Sequence, residues 1–120
     1  MSTNQVNSGD RVLWTNAGTA VVAGQVVVVG QQIGIAAVDI AQNASGIVYL
    51  EGRFTVPKVS AAVIAQGEMV MWDVTGAAFD DNAATPATGD VTNAASAAEA
   101  AGNGVTSFDI ILKNRIGTVA

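Results

Sequence analysis

The stretch VVAGQVVVVGQQIGIAAV, residues 21–38, carries no charged side chain and little polarity beyond Gln25, Gln31 and Gln32. Three structures compete for it. A membrane helix needs about 20 apolar residues, and the length fits. However, the glutamines would sit in hydrocarbon, Gly24, Gly30 and Gly34 interrupt the run, and Asp39 follows directly. A phosphate-binding loop fails on spacing, because neither G-x-G-x-x-G nor G-x-x-x-x-G-K-[ST] occurs and no lysine lies near Gly30. Gly18, Gly24 and Gly30 are evenly spaced, as in hexapeptide β-helices, but Gly34 breaks the period. Strands fit best. β-Branched valine and isoleucine suit a pleated, buried surface, and the glycines punctuate it. QVVVV reads as a strand buried on both faces, Gly30-Gln31-Gln32 as its turn, and IGIAAV as the hairpin partner.

Working outward, RVLWT (11–15) is a short strand ended by Asn16-Ala17-Gly18. SGIVYLEGRFTV (45–56) is one long bent strand or two, with Gly52 at the bend, Phe54 and Val56 on one face, and Arg53 and Thr55 on the other. Pro57 stops it. In GEMVMWD (67–73) both faces are largely apolar, so one is expected to meet a neighbour. DVTGAAF supplies a turn at Thr75-Gly76 and a short return strand. VTSFDIIL (105–112) is the last clear strand, with Thr106, Phe108, Ile110 and Leu112 on its core face. Residues 80–104 are an Ala/Thr-rich excursion without an evident core face. Within it SAAEAAG has the capping-box spacing Ser96 to Glu99 and a stop at Gly102, which allows one or two helical turns. The expectation is a single all-β domain over residues 1–120. It is a small β-barrel or sandwich with a flexible N-terminal arm (1–10) and at most one or two short helical turns.

Composition bounds the function. Only 12% of the residues are charged, against about 25% in ordinary soluble domains. Either small polar residues form the surface or other chains cover part of it, which points to an assembly protein. The net charge is −5. No Lys or Arg occurs between Val59 and Leu112, where seven carboxylates fall. That argues against nucleic acid, whose phosphates need cationic side chains. Arg11, Arg53, Lys58, Lys113 and Arg115 look scattered, although folding can gather them. Cysteine and histidine are absent, which removes thiolate metal sites, thiol nucleophiles and imidazole bases. MSTNQVNSGDR shows neither a basic n-region nor an apolar h-region, so no signal peptide is expected.

Candidate chemistry is thin. Asp73, Asp80 and Asp81 surround a turn, but their spacing does not match a calcium loop. Asp10 with Asp39 or Glu51 offers a carboxylate pair that nothing in the sequence brings together. Lys58 and Ser60 lack a nucleophile elbow. Trp14, Tyr49 and Trp72 read as core or interface anchors. The expectation is no enzyme, no cofactor, no metal site and no membrane span.

The order of SGD (8–10), VVAGQVVVVGQQIGIAAVDIA, GIVYLEGRFTVPK and AQGEMVMWD resembles tailed-phage head decoration, or capsid cement, proteins. Their pattern runs G-D…V-x-x-G…G-V-A…G-x-F-x-[LV]-P-K…G-D-x-V-x-W-D. The resemblance covers roughly residues 8–79 and resumes in the last strand. It implies a non-catalytic homo-oligomer, a trimer ahead of a dimer, that binds the major capsid protein on the outer surface of the virion after synthesis in the host cytoplasm. Gly52, Phe54, Pro57, Lys58, Gly67, Trp72 and Asp73 occupy pattern positions and read as structural. The chain departs from the pattern in its long 80–104 segment and in KNRIGTVA. The partner-contacting residues expected are those of the arm, Ser2, Thr3, Asn4, Gln5, Val6, Asn7, Ser8 and Gly9, which can add a strand to an exposed sheet edge, and then the 80–104 excursion. The alternatives are another virion part, such as a head fibre base or tail component, and a small carbohydrate- or host-binding β module.

Overall fold

The computed structural model describes residues 9–120. Among them the chain is all-β, with no helix. The first antiparallel sheet has the order β1-β4-β3-β2, built from β1 (Arg11–Thr15), β2 (Val26–Val29), β3 (Gln32–Ala36) and β4 (Ser45–Tyr49). The second has the order β5-β9-β8-β6-β7. It contains β5 (Glu51–Pro57), β6 (Met69–Asp73), β7 (Ala78–Asp80), β8 (Val91–Ala97) and β9 (Ser107–Lys113). The short β10 (Thr118–Val119) pairs with the start of β8. The sheets pack as a sandwich, and neither closes into a barrel.

The opening stretch forms the hairpin its residues demand. Val29 pairs with Gln32 across the two-residue loop Gly30-Gln31, and Gly30 has φ 62°. A glycine at the first loop position with positive φ is the type II′ arrangement. Alternate residues then enter different cores. Val26, Ile33 and Ile35 lie between the sheets with Val56, Val70, Trp72, Phe79, Phe108 and Ile110. Val27 and Ala36 lie on the outer face with Val21, Ile40 and Val48. The loops that cover this outer cluster are tied by reciprocal 2.9 Å backbone bonds between Val21 and Ile40. Burial on both faces, expected for QVVVV, holds at Val26 and Val27.

β4 and β5 are one run of chain that changes sheet at Leu50, and the bend falls at Gly52, φ 132°. Val56 is buried and Phe54 half-buried on one side, while Arg53 and Thr55 are exposed on the other. β6 and β7 pair across the Val74–Ala77 turn, with Trp72 opposite Phe79. Met71 is buried on the second face of β6. The neighbour expected there is the chain itself, since Asn82, Ala84 and Pro86 line the same pocket as Met69 and Met71. In β9, Phe108, Ile110 and Leu112 are buried, but Thr106 precedes the strand and is exposed.

The 80–104 segment differs most from its sequence reading. Val91–Ala97 is an inner strand between β6 and β9, and Val91, Ala94, Ala95 and Ala97 are buried. No helical turn forms at SAAEAAG. Ser96 and Ala97 complete β8, and Glu99 accepts a bond from Asp109 N at 3.2 Å. β8 carries two extra residues between its pairings with Val70 and Trp72, and Asn93 there has φ 62°. Asparagine tolerates that left-handed conformation at a bulge.

Candidate functional site

The arm residues Ser2 to Ser8 lie outside the described residues, and Gly9 marks where the arm joins the fold. Four segments meet at that end of the molecule. Asn114 Nδ2 donates to Gly9 O at 2.8 Å, and Gln32 Nε2 donates to Asn114 Oδ1 at 2.6 Å. Asn114 N donates to Leu50 O, and Leu50 N to Asp10 O. Gly117 N reaches Gln31 O at 2.8 Å. The arm's exit, the β2–β3 turn, the β4–β5 bend and the β9–β10 link are therefore held together by bonds radiating from Asn114, Leu50 and Gln31. Asn114 has φ 55°, a conformation its side chain supports. Asn114 of KNRIGTVA, where the chain departs from the family pattern, thus bonds Gly9, the last residue of the expected partner-contacting stretch.

The same end gathers cations that are distant in sequence. Arg53 and Lys113 line an open groove of about 510 Å³ with Asp10 and Glu51. Arg115 lies beside Lys113 around Ile111 and Met69. Arg11 bonds Asp10 at 3.0 Å and lies 5.9 Å over the Tyr49 ring. The hydrogen bond from Arg11 to Asp10 raises the guanidinium pKa above its ordinary value. On the neighbouring strands, Thr55 Oγ1 and Arg53 Nε donate to Asp109 at 2.6 and 2.8 Å, and these bonds hold the Asp109 carboxyl below the usual aspartate range. Ile116 is exposed beside Arg115. Four of the five cations stand at this end. Glu68, Asp73, Asp80 and Asp81 belong to the β6–β7 side, at the opposite edge of the second sheet from β5. The grouping of the cations was not legible in sequence because strand pairing alone creates it.

The remaining candidates are occupied by structure. Lys58, the fifth cation, is buried, and its Nζ donates to the carbonyls of Val59, Ser60 and Val105 at 2.8, 3.3 and 3.1 Å. It fastens the end of β5 to the segment entering β9, so the structural reading of this pattern residue holds and no nucleophile partner faces it. Asp90 is buried and accepts from Val74 N and Ala87 N. Asp73 caps Thr75 N and Gly76 N, Asp80 accepts from Asp81 N, and Asp81 from Ala83 N. Among the described residues no cluster of three or more Asp and Glu side chains is placed to hold a metal. Asp39 accepts from Ala23 N, away from Asp10 and Glu51, which share the groove with two cations. Trp72 is a core anchor, tilted on Phe79 at 5.0 Å; Trp14 packs on the outer cluster, and Tyr49 stacks on Phe54 at 6.3 Å.

What this arrangement offers is a surface: the Gly9 junction, four cations interleaved with Asp10, Glu51 and Asp109, and exposed Leu13 and Ile116. No helix of the described residues is long and apolar enough to cross a membrane. No curated protein matches the chain. The model of one family, described as phage cement protein, matches residues 6–112. That span takes in the last arm residues, every strand from β1 to β8 and nearly all of β9. The chain belongs to the phage cement protein family.

Proposed function

We propose that this chain binds the outer lattice of a phage capsid as a homo-oligomer and stabilises the head by bridging neighbouring copies of the major capsid protein. The observation that carries the reading is the family match over residues 6–112. The low share of ionised side chains, 12%, and the absence of a catalytic constellation among the described residues support a protein whose work is done by contact. The mechanism needs no chemistry. A capsid subunit can leave the shell only by giving up the interface that the cement protein buries, at about 25 cal/mol per Å² of apolar area less the costs of association. Binding only the assembled lattice shifts the equilibrium toward it.

The arm, Ser2 to Gly9, supplies the lattice contact by adding a strand to an exposed capsid sheet edge, and the cationic end from which it leaves seats against the same subunit. Asn114 holds Gly9 to the fold, so an informative deletion stops at residue 8. The chain lacking residues 2–8 is expected to keep its circular dichroism and melting temperature and to lose co-sedimentation with undecorated capsids. Unchanged binding removes the arm from the mechanism. Failure of the complete chain to bind or protect such capsids removes the reading itself.

A further inference from the structure

The two sheets repeat one plan. The first has the strand order β1-β4-β3-β2, and the second, leaving β7 and β10 aside, has the order β5-β9-β8-β6. The registers coincide as well. Val12 pairs with Val48 and Trp14 with Gly46, as Phe54 pairs with Ile110 and Val56 with Phe108. Ile35 pairs with Tyr49 and Val26, as Ser96 pairs with Ile111 and Met69. The loops follow suit. Val21 bridges Ile40, and Ile64 bridges Ala101. Just beyond, Gly24 and Gly67 have φ 89° and 83°, and their N–H groups donate to Ala36 O and Ala97 O at 2.8 and 2.9 Å. Gln25 and Glu68 each turn a side-chain oxygen back to accept the N–H of Val22 or Ala65 at 3.2 Å. Each first strand runs into a buried polar residue, Asn16 or Lys58, whose side chain donates to carbonyls of the following loop. Residues 11–49 and 53–111 are therefore two copies of one four-stranded unit, with β7 and its loops inserted in the second.

Exposure follows the repeat. In the ribbon made by the first and fourth strands, Arg11, Leu13 and Thr15 are exposed beside half-buried Ile47 and Tyr49. In the second copy Arg53, Thr55 and Pro57 are exposed beside half-buried Asp109 and Ile111. The rest of this face is closed by different means in each copy. Val26 and Ile35 pack into the core between the sheets, and Met69 and Met71 meet Asn82, Ala84 and Pro86. Both ribbons carry an arginine opposite a large apolar residue, Tyr49 or Ile111. One carboxylate braces each guanidinium, Asp10 at 3.0 Å or Asp109 at 2.8 Å, which lowers the side-chain entropy that a partner must remove.

We propose that the two ribbons are equivalent docking faces for two neighbouring copies of one protein, each copy offering an acidic group to the arginine. The inference rests on the cement reading above. A protein that joins neighbours in a lattice meets the same subunit surface more than once, and a chain that carries one unit twice answers both with a single contact geometry. The central pairs differ, Leu13 with Ile47 against Thr55 with Asp109, so the two contacts share their place and differ in strength. Because the units are joined through Leu50, the second contact forms at the effective concentration set by the first. The arrangement is independent of the oligomeric state, since neither ribbon is spent between copies of this chain.

The chain has no cysteine, so a thiol introduced into one ribbon reports that ribbon alone. Leu13→Cys and Thr55→Cys alter equivalent, exposed positions. Each variant, carrying a short thiol-linked photo-crosslinker, is bound to undecorated capsids and irradiated, and the joined peptides are identified by mass spectrometry. Both variants are expected to mark the same segment of the major capsid protein. Arg11→Ala and Arg53→Ala are each expected to weaken co-sedimentation about tenfold, and the double variant about a hundredfold, because separate contacts add in free energy. If a cysteine variant fails to fold, Thr15→Cys and Pro57→Cys form the next equivalent pair. Marking of different segments, of a second copy of this chain, or from one ribbon only overturns the proposal, as do arginine variants that bind unchanged, and each of these leaves the cement reading standing. Failure of the unaltered chain to bind capsids removes that reading and the proposal with it.

Discussion

An ammonium group stripped of water must find acceptors in the protein or lose its charge. Lys58 finds three backbone carbonyls, on Val59, Ser60 and Val105. Its flexible stem delivers the charge to a point where the end of β5 and the segment before β9 converge. The lysine therefore acts as a rivet just beyond the last pair of the β5–β9 ladder, Pro57 with Ser107. Replacing it with methionine keeps the volume and removes the donors, leaving three carbonyls with less compensation. Lys58→Met is expected to destabilise the fold by about 3 kcal/mol, within the range for buried polar groups left unsatisfied, read as a lower urea midpoint with an unchanged slope. The sequence placed this residue at a family position. It did not show that all the bonds of the side chain go to backbone, because the acceptor on Val105 lies far along the chain.

At the scale of elements, the strands with large β-branched or aromatic residues were legible before any coordinates. The hairpin at Gly30, the bend at Gly52 and the return strand after Gly76 each follow from local chemistry that tertiary packing then confirms. β8 was not legible. Its core residues are alanines, whose intrinsic preference is helical and whose small side chains give no apolar alternation of useful strength. Packing overrides that preference. The strand is flanked by β6 on one edge and by β9 and β10 on the other, and Gly117 approaches Ala94 so closely that an added Cβ would stand 2.8 Å from it. Small residues are what such an approach requires. The same logic fixes the outcome of enlarging one of them. Ala95 is 2% exposed in the main core, and Ala95→Leu is expected to cost about 1–3 kcal/mol by overpacking, measured by chemical unfolding. A leucine accommodated at no cost would show that β8 is an exposed strap after all.

Across the whole molecule, the acidic net charge conceals a division. Arg11, Arg53, Lys113 and Arg115 share the end where the arm departs, and most carboxylates lie elsewhere. A capsid surface that receives this end with acidic groups would steer the approach and lose affinity as salt is added. Lys113 and Arg115 are exposed and sit outside both core clusters. The double variant Lys113→Glu/Arg115→Glu is expected to leave stability within about 0.5 kcal/mol of the parent and to weaken capsid binding about tenfold at low salt, as followed by co-sedimentation. The approach of Arg53 to Lys113 was not legible, because it exists only after β5 and β9 pair; the arm expected from composition lies, but for Gly9, outside the described residues. One last property concerns force. Residues 45–57 run from one sheet into the other without a loop between them, so a tug on either sheet is carried straight through the covalent backbone to its companion. Force applied to one layer therefore reaches the other through main-chain bonds as well as through the packed core between them.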